Sequence, residues 1–155
     1  MLRWLRGLVL RRIVKSALAL ENDARNFYSS LQRSLGETNA KMGIEHLIHE
    51  EDLHKRVVTD LADGRLSLDG IEEMLSQHRF HDFDAILALD ERHLAASGDE
   101  LEMALENEKS TYTFYTNLSK ISRLPVIRRA FEMLADMERE HIQILVRLLG
   151  RQGDS

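Results

Sequence analysis

The segments EHLIHEEDLH (45–54) and EMLADMEREH (132–141) end in the same glutamate-x-x-histidine pair, 87 residues apart. Residues three apart on a helix differ by about 60° in direction and lie within one turn of each other. Each pair can therefore bind a cation from one face of its helix. The pairs are Glu51 with His54 and Glu138 with His141.

A shift of 87 residues also aligns the surrounding sequence without a gap. Eleven positions between 17 and 63 are then identical, where average composition gives roughly three. Leucines coincide easily in any helical bundle, so the polar identities are the stronger indication of an internal repeat. The identities are Ala17/Ala104, Leu18/Leu105, Glu21/Glu108, Phe27/Phe114, Tyr28/Tyr115, Leu31/Leu118, Glu45/Glu132, Leu47/Leu134, Glu51/Glu138, His54/His141 and Leu61/Leu148.

A further glutamate stands thirty residues before each pair, Glu21 in the first half and Glu108 in the second. One glutamate from each of two helices, with a Glu-x-x-His pair from each of two others, is the ligand pattern of di-iron carboxylate bundles. The sequence therefore predicts six metal ligands. They are Glu21, Glu51, His54, Glu108, Glu138 and His141.

The charges of these residues support a pair of metal ions. Four carboxylates in a bundle core would repel one another and lose their hydration if nothing neutralised them, and two divalent cations balance them. We expect Glu51 and Glu138 to bridge the ions, while Glu21 and Glu108 bind one ion each. Oxygen and imidazole donors suit two iron ions, or manganese, and the chain has no cysteine for a thiolate site.

The other polar residues are of two kinds: tyrosines that could orient a ligating carboxylate, and residues that we expect in solvent. Tyr28 and Tyr115 follow the glutamate of their half by seven residues, on the same helix face. Their hydroxyls either donate across the bundle to a ligating carboxylate or bond elsewhere as parts of core aromatics. Glu45 and Glu132 point about 120° away from the ligand face and are expected in solvent. We expect the remaining histidines at the surface: His46, His49, His78, His81 and His93.

The composition and the apolar spacing of three and four residues predict an all-α chain. Two long helices, a long connection over 65–98 and two more long helices are the wiring of a ferritin-like four-helix bundle with one crossover. Gly36 and Gly64 are stop signals, and Pro125 suits a first helical position. The long helices are predicted at 10–35, 38–63, 99–123 and 125–149, and two short ones, the first capped by Ser67, at 67–77 and 82–96.

The amino-terminal stretch 1–15 carries five cations and no acid, whereas the rest of the chain has a balance of −10. The acidic body excludes nucleic acid as the main partner, because phosphate binding needs a basic face. The arginines interrupt the apolar run of a signal peptide, and they spread too widely around a helix for a well-segregated membrane-surface helix. We interpret 1–15 as an extension of the first helix, with a membrane-surface helix as the alternative.

The length of 155 residues, with 43% apolar and 30% charged residues, fits a single domain over 1–155. No uninterrupted apolar run approaches the length that crosses a bilayer. The absence of cysteine excludes disulfides and cysteine-ligated clusters and fits a reducing compartment, so we expect a cytoplasmic protein. A pseudo-twofold bundle with an apolar extension is expected to form a homodimer or a larger homo-oligomer.

Residues 16–149 resemble the rubrerythrin-like branch of the ferritin-like superfamily. The first-helix motif Glu21-x-x-Ala24-Arg25-x-x-Tyr28 and both Glu-x-x-His pairs are similar to those of rubrerythrins. The resemblance implies a non-haem di-iron site that reacts with dioxygen or hydrogen peroxide.

Two departures from rubrerythrins bear on the chemistry. The sequence lacks the cysteine-rich rubredoxin domain, so the electrons are expected from another protein or from Fe(II) itself. Where rubrerythrins carry a further glutamate involved in iron movement, this chain has Thr111. The ligand set is therefore more similar to that of bacterioferritin.

We expect a non-haem di-iron oxidoreductase of ferroxidase or peroxidase type, which oxidises Fe(II) with dioxygen or hydrogen peroxide. An electron-donor protein is a further expected partner, and a membrane is not. Two alternatives stay open. One is a non-catalytic iron buffer or delivery protein, and the other is a membrane-docking helical bundle in which residues 1–15 matter most.

Overall fold

The structure is a computed structural model that describes residues 2–34, 39–77 and 98–150. Five helices occupy most of this part of the chain, which contains no strand. The all-α class predicted from the sequence is therefore confirmed. The helices are α1 (Leu2–Ser34), α2 (Asn39–Ala62), α3 (Leu68–Gln77), α4 (Gly98–Ile121) and α5 (Pro125–Gly150).

The four long helices lie where the sequence predicts them, with shifted ends. The largest shift is at the start of α1, which begins at Leu2 instead of residue 10, so the basic stretch is the beginning of this helix. The ends of α2, α4 and α5 lie within two residues of the prediction, and α5 begins at Pro125 as predicted; such differences are the usual uncertainty of helix ends. The stop at Gly36 and the short helix at 82–96 lie outside the described residues.

The backbone between α2 and α3 follows the two predicted signals. Gly64 has a φ of 68°, a left-handed conformation that glycine adopts most easily, and the amide of Arg65 donates to the carbonyl of Asp60 (2.8 Å) across the end of α2. Oγ of Ser67 accepts from the amide of Gly70 (3.1 Å), which caps the start of α3. Both signals are confirmed.

The long helices pack as two helical hairpins. α1 packs mainly against α2, and α4 mainly against α5. Smaller contacts of α1 with α4 and of α2 with α5 join the hairpins, and α3, from the crossover, lies against α5. This arrangement is the four-helix bundle with one long connection that the sequence predicts. None of the described helices is both long and apolar enough to cross a membrane.

Two apolar clusters fill opposite ends of the bundle. The first includes Leu31, Ile44 and Leu145, and the second includes Leu61 and Leu134. Each long helix contributes residues to both clusters. The middle of the bundle, between the clusters, is therefore left to other side chains.

Ile71 anchors α3 to the bundle, because its side chain is fully buried in the second cluster, whereas Leu68 of the same helix is 43% exposed. We predict that Ile71→Ala lowers the free energy of unfolding by about 2–4 kcal/mol, because it removes apolar contacts and leaves a cavity. Leu68→Ala is the matched control, with an expected change under about 0.5 kcal/mol. Urea denaturation followed by circular dichroism measures both, and equal losses would contradict the docking of α3.

Candidate metal centre

A layer of buried polar side chains crosses the bundle between the two apolar clusters. All six predicted ligands lie in this carboxylate layer, and each is at most 2% exposed. Both hairpins contribute three donors at equivalent positions of the repeat. The donors are Glu21 from α1, Glu51 and His54 from α2, Glu108 from α4, and Glu138 and His141 from α5.

The six donors form two overlapping groups. Glu51 and Glu138 belong to both groups, so each group has one imidazole, one carboxylate of its own and two shared carboxylates. Such a group can hold one cation. Each residue of a group offers one ligand atom, and within a group these atoms all lie within 4.8 Å of one another. The first group is Glu21, Glu51, His54 and Glu138, and the second is Glu51, Glu108, Glu138 and His141.

Both imidazoles direct Nδ1 at the carboxylates. Nδ1 of His54 is 3.2 Å from Oε2 of Glu21 and 3.1 Å from Oε1 of Glu138. Nδ1 of His141 is 3.0 Å from Oε1 of Glu51 and 3.6 Å from Oε2 of Glu138. The two rings stack with centroids 5.4 Å apart. In each histidine, Nδ1 is therefore the nitrogen available to a cation in the layer.

The carboxylate oxygens of the layer have few hydrogen-bond donors. Both oxygens of Glu51 and of Glu138, and Oε2 of Glu108, are buried and meet no aligned donor among the described residues. Buried carboxylate oxygens without a donor or a cation are costly. Carboxylate and imidazole groups are donors that iron and manganese bind. The residues present therefore fit a pair of divalent cations.

Two tyrosines donate hydrogen bonds to the two carboxylates that the groups do not share. Tyr28 of α1 donates its hydroxyl proton to Oε1 of Glu108, and Tyr115 of α4 donates to Oε1 of Glu21. Burial, reinforced by the neighbouring carboxylates, raises the pKa of both hydroxyls well above the ordinary value. Of the two interpretations of these tyrosines, the structure shows donation across the bundle.

Protons neutralise part of the layer when no cation does. Burial raises the pKa of Glu21 to about 7, and burial together with nearby carboxylates raises the pKa of Glu138 well above its ordinary value. Burial lowers the pKa of His54 and of His141, but the surrounding carboxylates outweigh it and raise both well above the usual range. Burial raises the pKa of Glu51, but the two histidines outweigh it and hold that pKa well below the ordinary value.

A cation that binds to this layer would have to displace these protons, so its affinity should depend on pH. The groups with a raised pKa are protonated at lower pH and release their protons as the pH rises, which favours the metal. We predict that the affinity for Zn²⁺ increases at least about tenfold for each unit by which the pH rises between about pH 6 and 8. About tenfold per unit is the value expected for one displaced proton. Competition with a chromophoric chelator measures the affinity. An affinity that is constant over this range would contradict binding by these groups.

Removal of the Glu138 carboxyl should stabilise the metal-free protein at about pH 8, because burial and the neighbouring carboxylates oppose its ionisation in the folded protein but not in the unfolded chain. We predict that Glu138→Gln raises the free energy of unfolding by about 1–2 kcal/mol in a chelator at about pH 8. The same variant should lose the stabilisation that added Zn²⁺ gives. Thermal denaturation with and without Zn²⁺ measures both effects, and Glu132→Gln, whose side chain is 43% exposed on the same helix, is the control. A less stable Glu138→Gln protein in chelator would contradict the repulsion.

Glu50, the residue before Glu51, is a buried carboxylate that the sequence repeat does not predict. Glu50 is buried, Oε2 lies 2.8 Å from Nε2 of His141, and Oε1 lies 3.0 Å from Nε2 of His46. Burial raises the pKa of Glu50, but hydrogen bonds from the two histidines outweigh it and hold the pKa well below its ordinary value. The expectation that His46 is a surface residue is borne out only in part. Its side chain is only 27% exposed, because it packs one turn from a buried carboxylate.

Where the structure describes them, the remaining polar residues singled out in the sequence lie outside the carboxylate layer or contribute no ligand to it. His49 and Glu45 are exposed, and the side chain of Glu132 is 43% exposed, as expected. Thr111 is buried, and its hydroxyl donates to a backbone carbonyl of its own helix, so it adds no carboxylate to the layer. Three histidines lie outside the described residues: His78, His81 and His93.

Comparison with known proteins gives one family. The rubrerythrin family model, part of the ferritin-like superfamily, matches residues 99–155. The matched stretch contains Glu108, Glu138 and His141, which are three of the four donors of one group. The resemblance seen in the sequence is confirmed over this stretch. No curated protein and no solved structure matches the chain.

Proposed function

We propose that this chain is a non-haem di-iron protein that oxidises Fe(II) with dioxygen or hydrogen peroxide. The observation that carries the proposal is the overlap of the two donor groups, which share Glu51 and Glu138 and could therefore hold two cations side by side. The rubrerythrin match of the second hairpin supports iron as the metal. Manganese is the other ion that the donor set suits.

The shared and unshared carboxylates have different proposed roles. Glu51 and Glu138 would be held in common by the two ions, because each lies in both groups and has two oxygens without an aligned donor among the described residues. Glu21 and Glu108 each bind one ion, and a tyrosine hydroxyl orients each of them. The two histidines complete the groups, one for each ion.

Two iron ions, when bound, supply two electrons at one place. Together with two protons, these electrons would reduce one hydrogen peroxide to two waters, or one dioxygen to one hydrogen peroxide, as two Fe(II) became two Fe(III). The four carboxylates favour this change, because the more highly charged ion gains more from anionic oxygens. Burial of all six donors to at most 2% exposure keeps bulk water out of the layer and strengthens these interactions.

Glu51→Ala tests the function directly, because it removes a donor of both groups. We predict that Fe(II) oxidation, followed as ferric absorbance after Fe(II) is added without oxygen and the oxidant is then admitted, slows at least about tenfold. Glu45→Ala is the matched control on the same helix, since Glu45 is exposed and equally repeated. Wild-type oxidation no faster than that of free iron, or an unaffected Glu51→Ala protein, would refute the proposal.

The same experiments separate the alternatives. Tight Fe(II) binding without accelerated oxidation would indicate an iron buffer or delivery protein. Vesicle binding that is lost on deletion of residues 1–15, with no metal in the purified protein, would indicate a membrane-docking bundle. The metal content of protein from its native cells, compared with that of Glu138→Ala, distinguishes iron from manganese. The homo-oligomer, the electron-donor protein and the cytoplasmic location stay predictions.

A further inference from the structure

The two histidines of the carboxylate layer differ in their second ring nitrogen. Each directs Nδ1 at the carboxylates, which leaves Nε2 for another partner. Nε2 of His141 lies 2.8 Å from Oε2 of Glu50, whose side chain is buried. Nε2 of His54 is also buried, but it has no hydrogen-bond partner among the residues that the structure describes.

The sequence repeat accounts for this difference. Glu50 precedes Glu51 on α2, and the shift of 87 residues places Met137 at the equivalent position of α5. Met137 is 3% exposed, and a thioether sulfur is only a weak hydrogen-bond acceptor. The first hairpin therefore supplies a carboxylate to the histidine of the second hairpin, whereas the second supplies none in return.

The partner of Nε2 matters when Nδ1 binds a cation. The imidazole is then neutral and carries its proton on Nε2, so Nε2 becomes a hydrogen-bond donor. A carboxylate acceptor fixes the orientation of the ring and makes its metal-binding nitrogen more basic. Loss of such a partner typically weakens metal binding by about 10–100-fold. His141 has this partner and His54 has none among the described residues, so the group containing His141 should bind a cation more tightly than the group containing His54.

We propose that Glu50 makes the two ion positions unequal, so that the group containing His141 binds the first divalent cation and the group containing His54 binds the second. Glu50 is a positioning residue, because it acts through His141 and belongs to neither donor group. Its other oxygen lies 3.0 Å from Nε2 of His46, one helical turn away, which helps to keep the carboxylate in place. The inference rests on the proposed di-iron function, since it requires both groups to bind ions.

Calorimetric titration of the full metal-free chain with Zn²⁺ measures both binding steps without a redox reaction, because Zn²⁺ has no redox chemistry. For the wild-type protein we expect two steps whose dissociation constants differ by about tenfold or more. His141→Ala should remove the tighter step, and His54→Ala should remove the weaker one. The reverse assignment would overturn the inference.

Glu50→Gln keeps the size of the side chain and removes its charge. We expect it to weaken the tighter step by about tenfold or more and to leave the weaker step unchanged. A merely structural role of Glu50 would weaken both steps together, and that result would overturn the inference. Glu45→Gln, on the exposed face of the same helix, is the control and should leave both steps unchanged.

Met137→Glu tests the same idea from the other hairpin, because it offers His54 the acceptor that the repeat lacks. We expect the weaker step to tighten and the two dissociation constants to converge. Met137→Leu controls for the change of side chain in the core. If the additional buried carboxylate prevents folding, the Glu50→Gln titration decides the question alone.

The results separate failure of the inference from failure of the proposed function. Two equal steps in the wild-type protein, or two steps that Glu50→Gln does not change, would overturn the inference and leave the di-iron function standing. Absence of Zn²⁺ binding, together with iron oxidation that does not respond to Glu51→Ala, would overturn the proposed function and the inference with it.

Discussion

Mutual repulsion among four buried carboxylates is the constraint on which the middle of this bundle depends. Their side chains lie in one layer between two apolar clusters, where water cannot screen them. In the absence of a cation, protons on Glu21 and Glu138 and on both imidazoles reduce the charge. A layer that must bind protons or cations is a poor way to stabilise a helical core. Its presence between two well-packed clusters is therefore best explained by what it binds.

The polar contacts of this layer also join the two hairpins. Tyr28 to Glu108, Tyr115 to Glu21, and His141 to Glu50 all cross from one hairpin to the other. Helix contacts between the hairpins are smaller than those within each hairpin. A pair of cations shared by donors from both hairpins would therefore strengthen the contact between the hairpins, which is the weaker one. Metal binding would therefore be coupled to the assembly of the bundle through the six predicted donors.

The repeat made the donor set predictable, because positions that serve the same purpose in both halves keep the same residue. Glu50 escaped notice because the repeat diverges there. Another signal marks it, since Leu47 lies three residues before it and Val57 seven after it, which places Glu50 on the buried stripe of α2. A charged residue on such a stripe indicates a paired group. Helix ends were predictable where glycine, serine or proline marks them, whereas the start of α1 at Leu2 has no such signal.

Thr111 bears on how the donors of the proposed di-iron site could rearrange, because it occupies the position one turn after Glu108. Threonine has no carboxylate, and the hydroxyl of Thr111 donates to the carbonyl of Asn107, so this position supplies no further acidic ligand. Glu108 and Glu21 are each held by a tyrosine hydroxyl, which limits their movement. Glu51 and Glu138 have no aligned donor on either oxygen among the described residues. In the proposed di-iron site, a change of coordination would therefore fall to these two shared carboxylates, because neither has an aligned hydrogen bond to break among the described residues.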